Sequence, residues 1–186
     1  MLPNPISAVF AFIFSALIML YVPAYQTFEK QEDLAYLNTQ NAVTNFVDNV
    51  RMKGFITPKM YEDFQAQLHG VGDVLYDVEL VHKHKIYTPV YTNPEDITTF
   101  TDEYRVDYEE FYWPQIEPYL FSDASSTDYD KRIYKLEEGD FFEVYVKNKT
   151  KFKSTMLFNF LTGSVGDDEA VVISVPYGGM VLNEDY

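Results

Sequence analysis

Residues 6–22 read ISAVFAFIFSALIMLYV, and the fold turns on what that run is. It holds no Asp, Glu, Lys or Arg, and Glu29 is the first such residue in the chain. A bilayer core asks for about 20 apolar residues as a helix, with a range of about 17–25. The run has 17 residues, and Pro23, Ala24 and Tyr25 lengthen it without adding charge. Pro3 and Pro5 suit a first turn, whose N–H groups have no helical acceptor anyway. Tyr21 and Tyr25 fall at the far end, where amphipathic rings prefer the membrane interface. Pro23 removes one helical hydrogen bond and predicts a bend at the membrane exit. Two other readings compete with a membrane or filament-core helix. Val22-Pro23-Ala24 loosely resembles a signal-cleavage site, but no Lys or Arg precedes it and Pro23 sits badly there. A buried helix of a soluble protein is the second, and a polar domain following a lone apolar run argues against it.

Past Pro23 the pattern changes while staying helical. Phe28, Ala35, Ala42, Val43, Phe46, Val47 and Val50 recur among polar residues at near-helical spacing, drawing a stripe along one side. We therefore expect a membrane or filament-core helix over 1–24 and an amphipathic continuation over 25–53. The stripe that docks a soluble head consists of Phe28, Ala35, Val43, Phe46, Val47 and Val50. In the first segment Ala8, Ala11, Ser15 and Ala16 gather small side chains on one side, opposite Phe10, Ile13, Phe14 and Leu17. Small residues let helices approach closely where lipid supplies no hydrophobic drive between them. Ile6, Ala8, Phe10, Ala11, Phe14, Ser15, Leu17 and Leu20 are accordingly the candidate membrane and bundling residues.

The remainder, 54–186, reads as one α+β head with a small, mainly antiparallel sheet and short helices. Gly54 stops the long helix, with Arg51 and Lys53 in its last turn. Thr57-Pro58 opens a short helix whose Met60, Phe64 and Leu68 share a face, with Gly70 and Gly72 ending it. Val74 to Tyr87 alternates as a long strand that Pro89 ends, with Tyr76, Val78, Leu80, His82, His84 and Ile86 inward. Residues 93–135, rich in acid, aromatics and proline, are expected to be an irregular insertion dispensable to the core, with a mobile loop at Ser122–Thr127. Phe141 to Lys149 is a strand with Phe142, Val144 and Val146 inward, and Ser154 to Leu161 a helix ended by Gly163. Glu169 to Val175, apolar on both faces, is expected to be a central strand closed by Pro176 and Gly178-Gly179.

Composition narrows function. Lys plus Arg number 14 against 29 Asp plus Glu, a formal charge of −15. Such a surface repels nucleic acid and disfavours docking on anionic lipid. Sixteen Tyr and 15 Phe are too many for a disordered tail. The absence of cysteine excludes disulfides and thiolate metal sites.

No motif announces catalysis: there is no P-loop, nucleophile elbow or dinucleotide fingerprint. His82 and His84 share a strand face, as a metal site needs, but no third ligand is evident in the sequence and His69 is remote. They read as half-buried core histidines. Asp167-Asp168-Glu169 and Asn93-Pro94-Glu95-Asp96 lack the full calcium-loop pattern and read as solvated turns. Glu109-Glu110 carries no sign of the separation that glycosidic carboxylates need. Asn148-Lys149-Thr150 matches a glycosylation sequon, a pattern common by chance. The expectation is a chain without enzymatic activity, cofactor or metal.

Residues 6–22, 24–52 and 54–186 together resemble the type IV pilin superfamily, which includes pseudopilins and TadE-like subunits. There a hydrophobic N-terminal helix anchors the subunit and bundles into a filament core, while its amphipathic half packs on an α+β head. The chain departs from the family in three places: position 5 is Pro5 where mature pilins usually carry Glu, and, where pilin precursors usually carry a basic leader ending in Gly or Ala, no basic residue precedes Lys30 and no Gly precedes Gly54. The resemblance implies a structural subunit of an extracellular filament or of a secretion or conjugation apparatus. It would associate with itself and with the membrane through 6–22; the very short tail before the apolar run points to N-terminus in and head out, and the acidic charge to no nucleic-acid partner. A monomeric membrane-tethered module binding calcium or glycan is the rival, and an extracytoplasmic enzyme a third reading.

Overall fold

The computed structural model describes residues 5–70, 74–121, 132–163 and 173–184. The protein is α+β. Its elements, in order, are α1 (Pro5–Lys53), β1 (Phe55–Ile56), α2 (Pro58–His69), β2 (Tyr76–Tyr91) and β3 (Phe100–Tyr112). Then come α3 (Trp113–Phe121), β4 (Tyr134–Lys135), β5 (Phe141–Asn148), α4 (Lys153–Thr162) and β6 (Ser174–Met180). Four strands form one sheet in the order β3-β2-β5-β6, every neighbour antiparallel, and β1 pairs with β4 apart from it.

The two expected N-terminal segments are a single helix. α1 runs 49 residues with Pro23 inside it, a rod of about 74 Å at 1.5 Å per residue. Thr27 Oγ1 donates to the Pro23 carbonyl at 2.8 Å. The helix ends at Gly54, whose N–H reaches the Val50 carbonyl at 2.8 Å. With φ at +73° and the Asn183 carbonyl oxygen 2.2 Å from where a Cβ would sit, only glycine fits there.

The second half of α1 lies on the sheet. Ala35, Thr39, Ala42, Val43, Phe46, Val47 and Val50 are buried, facing a core that includes Leu80, Phe142, Val144, Val146 and Val175. Phe46 stacks on Phe64 of α2 at 4.5 Å and meets Phe142 of β5 edge-on at 5.9 Å. At the other end of this seam Arg51 Nε donates to the Met180 carbonyl at 2.9 Å. A Cβ on Gly179 would stand 2.6 Å from the Arg51 guanidinium carbon, so the glycine leaves room for the guanidinium to lie over β6. α2 begins as its sequence predicts: Thr57 Oγ1 accepts from the Met60 N–H at 3.2 Å, Pro58 follows, and Phe64 and Leu68 are buried.

Three expectations need correction. Within 93–135 the stretch from Phe100 to Phe121 is regular, not irregular: β3 pairs with β2 from Val81↔Tyr112 to Tyr91↔Phe100. After it, α3 places Ile116 and Leu120 fully in the core. The acid-rich sequence of β3 reflects its place on the sheet edge, where most side chains are exposed. Pro89 does not end β2, which continues to Tyr91. Beyond Lys83 the strand has, among the described residues, β3 alone as partner, and a strand with one unpaired side tolerates proline. The last strand starts later than its apolar run suggests. β6 contains Pro176, Gly178 and Gly179 and, among the described residues, pairs only with β5, which makes it an edge strand there and not a central one. Residues 169–172, Ser122–Thr127 and the Asp167-Asp168-Glu169 cluster lie outside the described residues.

Candidate functional site

Two features stand out for function: the free half of α1, and a polar cluster on the sheet.

Every side chain from Ile6 to Leu20 is exposed. The most apolar 18-residue window of α1 has a mean hydropathy of 2.3, and none of it is buried. Ile6, Phe10, Phe14, Leu17 and Leu20 are each about 60–75% exposed, a state that water penalises by about 25 cal/mol per Å² of apolar surface. The helix is long and apolar enough to span a membrane: residues 5–22 rise about 27 Å against a hydrocarbon core of about 30 Å. Ala8, Ala11 and Ser15 sit on this same helix, three and four positions apart. At the C-terminal end of the apolar run Tyr21 stacks on Tyr25 at 5.9 Å. Of the docking stripe, Ala35, Val43, Phe46, Val47 and Val50 are buried, whereas Phe28 is half-buried and lines a groove with Glu32, Phe152 and Met156. Glu32 accepts hydrogen bonds from the Ser154 backbone N–H (3.1 Å) and hydroxyl, joining α1 to the start of α4.

The polar cluster is built by strand alternation. His82 and His84 project from the same face of β2, with ring centres 6.0 Å apart. Asp140, in the turn before β5, reaches both and is fully buried. Its Oδ2 lies 2.8 Å from His82 Nε2, and its Oδ1 lies 3.1 Å from His84 Nδ1. The backbone N–H groups of Lys85 and Glu137 donate to the same carboxylate, each at 2.8 Å. His82 Nδ1 sits 2.7 Å from the Tyr134 hydroxyl, and Phe111 stacks on its ring at 5.7 Å.

These contacts fix the protonation pattern. Burial pushes the His82 imidazole below its ordinary value, against the pull of Asp140. Burial pushes Asp140 upward, but the Lys85 and Glu137 N–H groups and the two histidines outweigh it and hold the carboxyl below the usual range. Burial, reinforced by Tyr119 and Asp140, drives the Tyr134 phenol up, so it stays protonated. The consistent arrangement is a neutral His82 that donates from Nε2 to Asp140 and accepts the Tyr134 O–H at Nδ1. A cleft of about 650 Å³, lined by His82, His84, Phe111, Gln115, Tyr119 and Tyr134 among others, opens onto the cluster.

The structure thus brings together the histidine pair and a third donor that the sequence reading did not supply. Asp140 is 58 positions from His82, in the turn that precedes β5. No local spacing joins the two, so only the pairing of β2 with β5 could have found it. His69 stays apart, beside Tyr76. Glu109 and Glu110 lie on edge strand β3, and Glu110 accepts from the Tyr112 hydroxyl at 2.6 Å. Asn93 and Asp96 spend their side-chain oxygens on the turn itself: Asn93 Oδ1 accepts from the Glu95 N–H and Asp96 Oδ1 from the Thr98 N–H.

No protein-family model, curated protein or solved structure matches this chain.

Proposed function

We propose that this chain is a membrane-anchored, pilin-like structural subunit. Residues 6–22 lie in the bilayer before assembly and in a shared helical core afterwards. The head stands outside the membrane and forms the outer surface. The role is architectural, not catalytic, and the partner is further copies of the chain.

One observation carries the reading: a single helix whose first half is wholly exposed and apolar continues without interruption into the half that forms the head's core. A cleaved signal needs no rigid connection to the folded domain. A plain tether needs none either, since a flexible linker would do. A helix that is rigid from lipid to head fixes the orientation of the head relative to its neighbours, which a filament requires. The small-residue positions Ala8, Ala11 and Ser15 agree with close helix packing.

Negative-stain microscopy of material sheared from cells expressing the chain tests this. Fibres that disappear in Phe14→Asp support the reading. Membrane-retained protein that never forms fibres or oligomers overturns it in favour of the tethered module.

A further inference from the structure

We propose that His82, His84 and Asp140 form a binding site for a divalent transition-metal ion of the zinc class, with one position open to the cleft. This site is independent of the membrane half of the molecule.

The donor set comes first. One ligand atom from each of the three residues lies within 4.8 Å of the others. Two imidazoles and one carboxylate suit zinc and its neighbours, whereas magnesium and calcium favour all-oxygen shells. Around a tetrahedral ion with bonds of about 2.0–2.2 Å, ligand atoms stand roughly 3.3 Å apart. To a single carboxylate oxygen, Oδ2, the two histidine nitrogens stand at 2.8 and 3.3 Å, and all three ligand atoms lie within 4.8 Å of one another, so modest ring rotations would close them around an ion.

The supporting contacts are already in place. Ligating histidines hold their second ring nitrogen in a hydrogen bond, and ligating carboxylates are themselves hydrogen-bonded. His82 has Tyr134 on Nδ1, and Asp140 has two backbone N–H groups. Proton balance is simple. Without the ion, His82 carries its proton on Nε2, shared with Asp140. With it, the Nε2 lone pair binds the metal, the proton resides on Nδ1, and the Tyr134 oxygen accepts it. The neutral ring changes tautomer and no proton is released from it. His84 changes in the same way, its proton passing from Nδ1 to Nε2. A fully buried carboxylate favours a cation beside it, in addition to the Lys85 ammonium that already feels its charge. The cleft supplies the entry path and room for water or an outside donor at the fourth position.

The test uses the full chain in detergent, stripped with chelator and titrated calorimetrically with Zn²⁺ in excess Mg²⁺, which occupies surface carboxylates. The expected result is one saturable equivalent, weakened at least tenfold in His84→Ala and unchanged in His69→Ala. Co²⁺ should give the visible bands of a tetrahedral nitrogen–oxygen site. No equivalent above the Mg²⁺ background, or equal binding by a folded His84→Ala, overturns the proposal. His84 is half-exposed, so its truncation is tolerable. If that variant does not fold, the cobalt spectrum of the wild type decides: bands support the site, and their absence overturns it.

Discussion

Between Ile6 and Leu20 no side chain of α1 is covered by the rest of the chain, whereas between Ala35 and Val50 seven are buried against the sheet. The backbone is the same helix in both halves. What differs is the polar complement. From Glu29 onward charged and amide residues take up much of the outward side, alongside exposed Leu34 and Leu37, and the buried apolar residues line up as a seam for the head. The first half has no polar side, so no one face is singled out for the head, and its whole circumference calls for an apolar environment. A helix surface, more than its helical propensity, states which solvent it expects.

The strongest way to break this comparison is one charge on each half. Val47→Asp places an unpaired carboxylate in the core, at a cost of several kcal/mol against a total stability of about 5–15. Its head should lose cooperative melting by circular dichroism. If it melts like the wild type, α1 does not pack where described. Leu120→Ala, in the region expected from sequence to be dispensable, should cost about 2–5 kcal/mol and lower the melting temperature clearly; an unchanged melt would return residues 93–135 to the status of an insertion. Phe14→Asp should leave the head's melting curve untouched and instead impair membrane retention, by about 2.5–3.5 kcal/mol on insertion scales. Fractionation with membranes checks it, and a mutant retained as well as wild type removes the bilayer from the picture.

Smaller effects sharpen the contrast. In chelator, head stability should decline on acidification. The unfolded chain takes up a proton on His82 near pH ~6.5 that the fold disfavours. That contribution is complete above ~6.5 and shrinks as pH falls toward the depressed folded value. Asp140, also depressed, adds stability that is present above ~3.9 and lost as pH drops through its folded value. A melting temperature flat from about pH 7.5 to 4 would contradict the His82 direction, and one flat below about pH 4 the Asp140 direction. The smallest expected change is in Ala11→Leu combined with Ser15→Leu, which should reduce cross-linked oligomers in membranes without reducing retention; undiminished cross-linking would detach the small residues from assembly.

Legibility in the sequence follows how local each signal is. The α1 stripe, the Thr57-Pro58 start of α2 and the alternation of β5 depend on neighbours a few positions away, and each was readable. β3 was not, because edge strands carry charge on both faces and lose the period-two contrast that marks a half-buried strand. β6 was misplaced because its glycines serve close approaches to Glu143 and Arg51, partners distant in sequence. The cluster failed for the same reason: its histidines were visible as a pair, but Asp140 joins them only through sheet pairing.

The seam between α1 and β6 has a consequence for biosynthesis. Asp48 and Arg51 find their partners on Tyr177 and Met180, each 129 positions later. A ribosome makes the docking stripe of α1 early and the strand that completes its cover more than a hundred residues afterwards. Until then the stripe continues directly from an apolar segment that inserts or aggregates by the same chemistry. Membrane capture of residues 6–22 would hold that stripe in place, one copy at a time, while the rest of the head is still being synthesised.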